Sequence, residues 1–476
     1  MKHDINYTML TDFYELTMGN GYFQSGIKDR ICYFDVFFRN VPDGGGFAIA
    51  SGLDQVIRYI EDLRFDGEDI AYLRSKNVFC EEFLDYLKDF RFTGDIWAVP
   101  EGTPIFPREP IMVVRAPAIE AQFIETFLLL TLNHQSLIAT KSNRIVRAAQ
   151  GRVVSEFGSR RAQGTAGALM GARASYIAGA HATACAMADQ MFGTPATGTM
   201  AHSWVQMFPD EYTAFKTYCT LYPTSATLLV DTYNVLRSGV PNAIRVFREL
   251  GITTGGIRID SGDLAYLSRK ARAMLDEAGL TDIKIIASNS LDEYIIRDLI
   301  TQGARIDAFG VGERLITSKS EPVFGGVYKL AAIEGEDGTV IPKIKISENP
   351  AKMTIPSFKK VYRLFDKATG KAMADYICLY DEEPDFTRPL ELFDPEATWK
   401  RKTLTNYEAV PLLVPVFEKG KKVYESPDIQ DIRAYCTRQV DKLWDEVKRF
   451  EYPHNYYVDL SQKLWDLRAE LLAARH

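Results

Sequence analysis

The sequence has few cysteines and none of them pair by spacing. Its six, Cys32, Cys80, Cys185, Cys219, Cys378 and Cys436, form no CxxC motif, which excludes a zinc knuckle or a dithiol redox centre of that type. Thiols scattered singly along a long chain fit a reducing, cytoplasmic compartment. A basic excess is also missing. Lys and Arg number 56 against 63 Asp and Glu, for a net charge of −7 and a pI near 5.6, so nothing global neutralises a nucleic-acid backbone. Long hydrophobic runs are absent as well. The most apolar, Phe127 to Leu132, is broken by Thr131, followed by Asn133 and His134, and too short to span a bilayer. The opening stretch to Glu15 is polar and acidic, without the apolar centre of a signal peptide. Repeats and low-complexity tracts are lacking too. Histidine is scarce: three of the six, His3, His454 and His476, lie near the chain ends.

What is present describes a soluble enzyme. Hydrophobic residues make up 46% and charged residues 25% of 476 residues, enough for two domains or for one barrel with a large appendage. Leu53–Leu63 and Glu81–Phe90 read as helices. Phe92–Arg115, rich in turn formers and β-branched residues, reads as short strands. Gln122–Gln150 reads as one or two long helices. The middle is more regular. Apolar runs at Ala226–Asp231, Gly256–Asp260, Ile283–Ser288 and Ile306–Gly310 alternate with helical patterns at Pro241–Leu250, Leu264–Ala278 and Leu291–Thr301. That alternation predicts parallel βαβ units. Every strand ends in polar residues or glycine, at the edge where parallel α/β barrels place their active sites. Residues 326–425 read as strands and hairpins. Ile429–Phe450 and Leu460–Ala474 read as amphipathic helices.

Chemistry gathers at the strand ends. Asp231, Asp260 and Asp263 would share one rim, where carboxylates suit a magnesium ion or a cationic sugar. An aspartate in that position is equally a helix N-cap, above all Asp263. Gly310-Val311-Gly312 exposes backbone N–H groups to which a phosphate can come close, with Thr317 and Ser318 downstream. In Glu156-Phe157-Gly158-Ser159-Arg160-Arg161, paired arginines suit a polyphosphate and Phe157 offers a flat apolar face; a solvated basic turn is the alternative. Arg258, inside a strand, must pair with an acid such as Asp260 or with an anionic ligand. His202, in Thr199-Met200-Ala201-His202-Ser203, is either structural or reactive.

These segments closely resemble the nicotinate phosphoribosyltransferase family. TDFYELTM near residue 11, EFGSRRAQG near 156, GTMAHSWVQMFP near 198, LLVDTYNV near 228, GIRIDSGDL near 255, FGVGERLITS near 309, GGVYKL near 325 and YPHNYYVDLSQKL near 452 carry the resemblance over almost the whole chain. The resemblance implies an α/β fold: the irregular, incomplete α/β barrel of type II phosphoribosyltransferases, with a mixed α+β domain from the N- and C-terminal segments. On that basis residues 1–130 form an N-terminal segment, 131–330 the barrel core, and 331–476 an extension packing on the N-terminal segment. It implies transfer of phosphoribose from phosphoribosyl pyrophosphate to nicotinate, with Mg2+ on the pyrophosphate. ATP hydrolysis would be coupled through a phosphohistidine at His202. Homodimers with shared sites are implied, and no nucleic-acid or membrane partner. Tyr14 of the partner subunit and Phe157 would sandwich the pyridine ring. Arg160 and Arg258 would bind phosphate or carboxylate, and Thr199 would lie near nicotinate. Ser288, Asn289, Gly310 and Gly312 would line the phosphoribose site, and Asp260 and Asp231 would act at the reacting sugar.

One segment departs from the family. Ala180-His181-Ala182-Thr183-Ala184-Cys185 stands where the family often shows Phe-Asp-x-Thr-Ser-Asn in a helix; His181 is taken as structural. The nearest rival activity is nicotinamide phosphoribosyl transfer, which needs an acid to accept from the amide. Phe192–Gly198 contains none, which favours a carboxylate substrate. Quinolinate as substrate would need a richer basic pocket, and an aldolase a strand-end lysine. A non-catalytic ligand-binding relative would have lost His202, Asp260 or Gly312, and all three are present.

Overall fold

The computed structural model describes residues 6–347 and 353–474; His3, His476 and part of the 326–425 strand region lie outside them. The chain divides into Met1–Leu137 with Val323–His476, and Ile138–Pro322. The sequence reading places these divisions at 130 and 330; the first observed one falls inside the helix Glu125–Ala148.

The middle unit is built on six strands: β1 (Val153–Glu156), β2 (Ala182–Thr183), β3 (Thr227–Leu229), β4 (Gly256–Ile259), β5 (Lys284–Ser288) and β6 (Ala308–Val311). They bond in the order β2-β1-β6-β5-β4-β3, and every pair is parallel. The edge strands β2 and β3 do not pair with each other, so the ring of strands stays open, as in an incomplete barrel. Leu228, Leu229, Ile257, Ile259, Ile285, Ala287, Phe309 and Val311 are each at most 1% exposed, the mark of strands covered on both faces. Burying each larger side chain of this kind stabilises the fold by about 1.5–3 kcal/mol.

Helices Leu264–Glu277 and Glu293–Thr301 follow β4 and β5 and start on aspartate caps. Asp263 accepts from the Tyr266 N–H, and Asp292 from those of Tyr294 and Ile295. Helix Leu264–Glu277 buries Leu264, Ala265, Ser268, Ala271 and Leu275 along one stripe. The sequence reading found β3 to β6 but not β1 or β2. β2 has only two residues, and β1 sets just Val153 and Val154 before the polar Ser155 and Glu156, so neither gives an apolar run. The 180–185 stretch contains β2 rather than helix.

The other unit interleaves the two ends of the chain. Its seven-stranded sheet runs Val340–Pro342, Gly326–Glu334, Ile31–Phe38, Met112–Pro117, Asp95–Ala98, Val414–Glu418, Lys421–Lys422. A second sheet holds Tyr407–Pro411, Lys359–Asp366, Ala372–Leu379 and Tyr457–Leu460. The helix expected over 429–450 ends at Asp441, where the Lys371 ammonium caps the Asp441 and Leu443 carbonyls at 2.6 and 3.2 Å. Leu443 and Val447 then turn into the core, both fully buried. No helix among the described residues is long and apolar enough to cross a membrane.

Lys359 is wholly buried, with Nζ 2.7 Å from Asp35 Oδ2 and donating to the carbonyls of Ile355 and Ser357 at 3.0 and 2.5 Å. Removing the cation strands a buried carboxylate. Lys359→Met should therefore lower unfolding free energy by about 3–5 kcal/mol, read from the denaturant midpoint. A loss near zero would mean that Asp35 has another means of neutralisation.

Candidate active site

The C-terminal ends of β3, β4 and β5 meet at Arg258. Its position on β4 is level with Leu229 on β3 and Ile286 on β5, so its side chain reaches both neighbours' ends. Nε donates to Ser288 Oγ at 2.8 Å, Nη1 to Thr199 Oγ1 at 2.9 Å and Nη2 to Asp260 Oδ1 at 2.9 Å. The guanidinium lies 5.9 Å from the centroid of the Phe157 ring. Ser288 also donates to Asp260 Oδ1. The sequence left open whether Arg258 meets an acid or a ligand. The acid is in place, and the Phe157 face lies beside it.

Asp260 is pulled two ways. Burial raises its carboxyl pKa, but the hydrogen bonds from Ser288 and Arg258, the Arg258 charge and His202 outweigh that and hold it below the usual aspartate range. Asp231 braces the next strand end. Its Oδ2 accepts the Asp260 N–H at 3.1 Å and the Ser261 hydroxyl at 2.6 Å. His202, whose side chain is 42% exposed, stands above both acids. Its Nε2 is 3.9 Å from Asp231 Oδ1 and 3.8 Å from Asp260 Oδ2, and its Nδ1 is 3.1 Å from the Thr232 hydroxyl.

Phe157 is fixed by glycine and by a buried acid. A Cβ on Gly310 would lie 2.6 Å from the Phe157 ring, and one on Gly312 would lie 2.9 Å from the Phe157 carbonyl oxygen. The space that sequence analysis assigned to phosphate approach is thus filled on that side by Phe157. The Phe157 N–H donates to the Val311 carbonyl at 2.8 Å. Glu156, fully buried, accepts from the Gly158 N–H and from the Thr183 hydroxyl, the latter at 2.6 Å. Burial raises the Glu156 pKa despite those donors. Beyond β5, Asn289 and Ser290 take φ of +96° and +49°, a left-handed turn costly for residues with a side chain and frequent at functional sites.

Other expected residues stand elsewhere. Asp263 spends a carboxylate oxygen on its helix cap, the structural alternative considered for it. Arg160 lies exposed on a turn of 3-10 helix, Ser159–Arg161. Thr317 donates to the Glu313 carbonyl at 2.8 Å and lines a shallow groove of about 390 Å³ with Arg161 and Lys319, outside the Arg258 network. Tyr14 lies in the other unit on helix Phe13–Gln24, 44% exposed. His181 is exposed, and its backbone N–H donates to the Val154 carbonyl at 2.7 Å. Sequence reasoning passed over Glu156, Thr232 and Ser261. Each directly adjoins a residue it had selected at a strand end, which is the signal that would have found them.

Comparison with known proteins gives concordant matches. The profile of the nicotinate phosphoribosyltransferase N-terminal domain matches residues 9–133, and that of the nicotinate phosphoribosyltransferase C-terminal domain matches 358–468. A nicotinate phosphoribosyltransferase of Bacillus subtilis (strain 168) is 47% identical over 464 residues, covering 97% of this chain and 94% of that protein. The crystal structure of human nicotinic acid phosphoribosyltransferase superposes with a TM-score of 0.83 at 28% identity, covering 97% of this chain and all of that one. A nicotinate-nucleotide pyrophosphorylase from Pyrococcus furiosus, at 23% identity and a TM-score of 0.71 over 93% of this chain and 97% of that one, shares the fold.

The Asp260 environment makes a measurable prediction. Arg258→Met removes a donor and a positive charge, so the Asp260 pKa should rise. A depressed folded-state pKa contributes stability that is present above the unfolded value and lost as pH falls through the folded one, so in the variant that contribution is smaller and is exhausted at a higher pH. Carboxyl carbon NMR titration reads the shift; an unmoved Asp260 would remove Arg258 as its cause.

Proposed function

The chain belongs to the nicotinate phosphoribosyltransferase family, and from that premise we propose a reaction in which the ring nitrogen of nicotinate attacks the anomeric carbon of phosphoribosyl pyrophosphate. The bond from that carbon to pyrophosphate breaks, nicotinate mononucleotide forms, and ATP hydrolysis is coupled to the transfer through His202. The observation that carries the reading is the 47% identity over nearly the whole chain, which includes the strand ends around Arg258.

The chemistry of the site supports it. A flat aromatic carboxylate wants a stacking face and a cation or hydroxyl donors, and Phe157, Arg258 and Thr199 stand together. Ser288, Asn289, Gly310 and Gly312 would line the sugar, with Arg160 as a phosphate donor at the margin; Thr317, whose hydroxyl is spent on the Glu313 carbonyl, fits that role less well. Asp260, held ionised, and Asp231 would stabilise positive charge that builds on the ribose as pyrophosphate departs. No cluster of three His, Cys, Asp or Glu side chains able to hold a metal occurs among the described residues. Mg2+ bound chiefly by pyrophosphate oxygens needs only one carboxylate from the protein. Asp260 fits that role, since its Oδ2 accepts no hydrogen bond among the described residues; Asp263, engaged in its cap, fits it less well. Mg2+ would neutralise the leaving pyrophosphate.

Substrate choice rests on the Phe192–Gly198 loop. It carries no acid, and the Asp189 carboxylate behind it accepts the Ala196 N–H at 3.0 Å. Homodimers with shared sites are part of the proposal. Tyr7, Leu10, Phe13, Tyr14 and Met18 leave an exposed apolar stretch, each 37–45% accessible, of the kind that marks a protein interface. Six unpaired cysteines fit a cytoplasmic enzyme.

Incubation with phosphoribosyl pyrophosphate and Mg2+ should yield mononucleotide from nicotinate and not from nicotinamide, faster with ATP. His202→Ala should lose the ATP acceleration and still bind nicotinate. Product from nicotinamide instead would overturn the substrate, and intact acceleration in His202→Ala would remove the histidine from coupling. Shared sites predict complementation: Tyr14→Ala and Phe157→Ala, each impaired alone, should regain activity on mixing, because one heterodimer site is then intact. Absence of any regain would place both aromatic residues in one chain's site.

A further inference from the structure

We infer that Thr232 is a positioning residue for His202: its hydroxyl holds the Nδ1 side of the ring and leaves that nitrogen as the phosphoryl acceptor. The inference rests on the reading that His202 takes a phosphoryl group from ATP.

The Asp231 side chain is 1% exposed, and its Oδ2 is saturated by the Asp260 N–H and the Ser261 hydroxyl. Its Oδ1 is buried without a hydrogen bond among the described residues. A buried carboxylate oxygen needs a donor, and His202 Nε2 faces it at 3.9 Å, with Asp260 Oδ2 at 3.8 Å on the same nitrogen. A lone pair aimed at the buried Asp231 Oδ1 would be repelled, so the proton sits on Nε2. Nδ1 then carries the lone pair, and at 3.1 Å the Thr232 hydroxyl donates to it. Thr232 follows Asp231 directly, so one strand end grips both faces of the ring. His202 opens the short helix His202–Gln206, leaving its side chain 42% exposed to an incoming nucleotide.

The transfer balances without another reactant. Nδ1 forms a bond to the γ-phosphorus of ATP. The bond from that phosphorus to the bridging oxygen breaks, and its electron pair leaves with ADP. The Nε2 proton stays, and Asp231 and Asp260 stabilise the positive charge that grows on the imidazole. The Thr232 hydroxyl, released from Nδ1, donates to a phosphoryl oxygen. Water later attacks phosphorus, the phosphorus–Nδ1 bond breaks with its electron pair returning to Nδ1, and phosphate departs with one proton of the water lost to solvent, which restores the neutral ring.

The test compares Thr232→Val, which keeps the shape and removes the hydroxyl, with Thr232→Ser, which keeps the hydroxyl. Single-turnover labelling of the full-length enzyme with γ-labelled ATP reads phosphoenzyme formation, and phosphorus NMR identifies the modified nitrogen. Losing the hydroxyl that orients the ring and then donates to the charged phosphoryl oxygen should slow Thr232→Val about 10- to 100-fold, with Thr232→Ser within about threefold of wild type and the label on Nδ1. A Thr232→Val rate equal to wild type, a Thr232→Ser rate as slow as Thr232→Val, or label on Nε2 would overturn the inference. A wild-type enzyme that takes no label at all would instead overturn the phosphohistidine reading beneath it, so the two failures are distinguishable.

Discussion

A guanidinium on a buried strand cannot be left without partners, and at Arg258 that requirement organises the whole rim. One planar fork reaches Thr199, Ser288 and Asp260, residues from a loop, a neighbouring strand and its own strand end. The same Asp260 oxygen that meets Arg258 also takes the Ser288 hydroxyl, while its backbone N–H is held by Asp231. Three strand tips are thereby locked before any ligand arrives. A lysine there would offer a point charge in place of a fork and lose that geometry. Because most of the polar partners are already committed within the network, an incoming anion meets a preorganised field rather than mobile side chains.

A second constraint is steric. Gly310 and Gly312 leave room for Phe157 and its carbonyl, and buried Glu156 fixes the turn behind the ring. The aromatic face is therefore set by the backbone of β6 as much as by its own residue. Beside it, the positive φ at Asn289 and Ser290 bends the chain sharply after β5. Strain of this kind persists only where surrounding structure over-determines it, here the buried Ser288 on one side and the Asp292 cap on the other.

The βαβ core was legible in the sequence because both faces of its strands are buried: Leu228-Leu229, Ile285 and Phe309 stand out as short apolar runs between helical patterns. The strands β1 and β2 were not: β2 is only two residues long, and half of β1 is polar. Arg258 announced itself as a charge among isoleucines. Gly310 was noticed for a different reason from the one its surroundings show, since no sequence pattern tells that a glycine makes space for a ring more than fifty positions earlier in the chain. Thr232 and Glu156 were overlooked because a threonine or glutamate at a strand end is ordinary until a histidine or a tight turn is placed against it. The early end of the 429–441 helix likewise depends on Lys371, distant in sequence.

Under the proposed function, Arg258 and Phe157 form one preset receptor for an aromatic carboxylate at the C-terminal ends of the parallel strands. A crystal structure with nicotinate bound tests this most directly. It should show the pyridine ring stacked on Phe157, the carboxylate within hydrogen-bond reach of Arg258 or Thr199, and the Arg258–Asp260 pair unbroken. Nicotinate seated elsewhere, with Phe157 and Arg258 untouched, would contradict it.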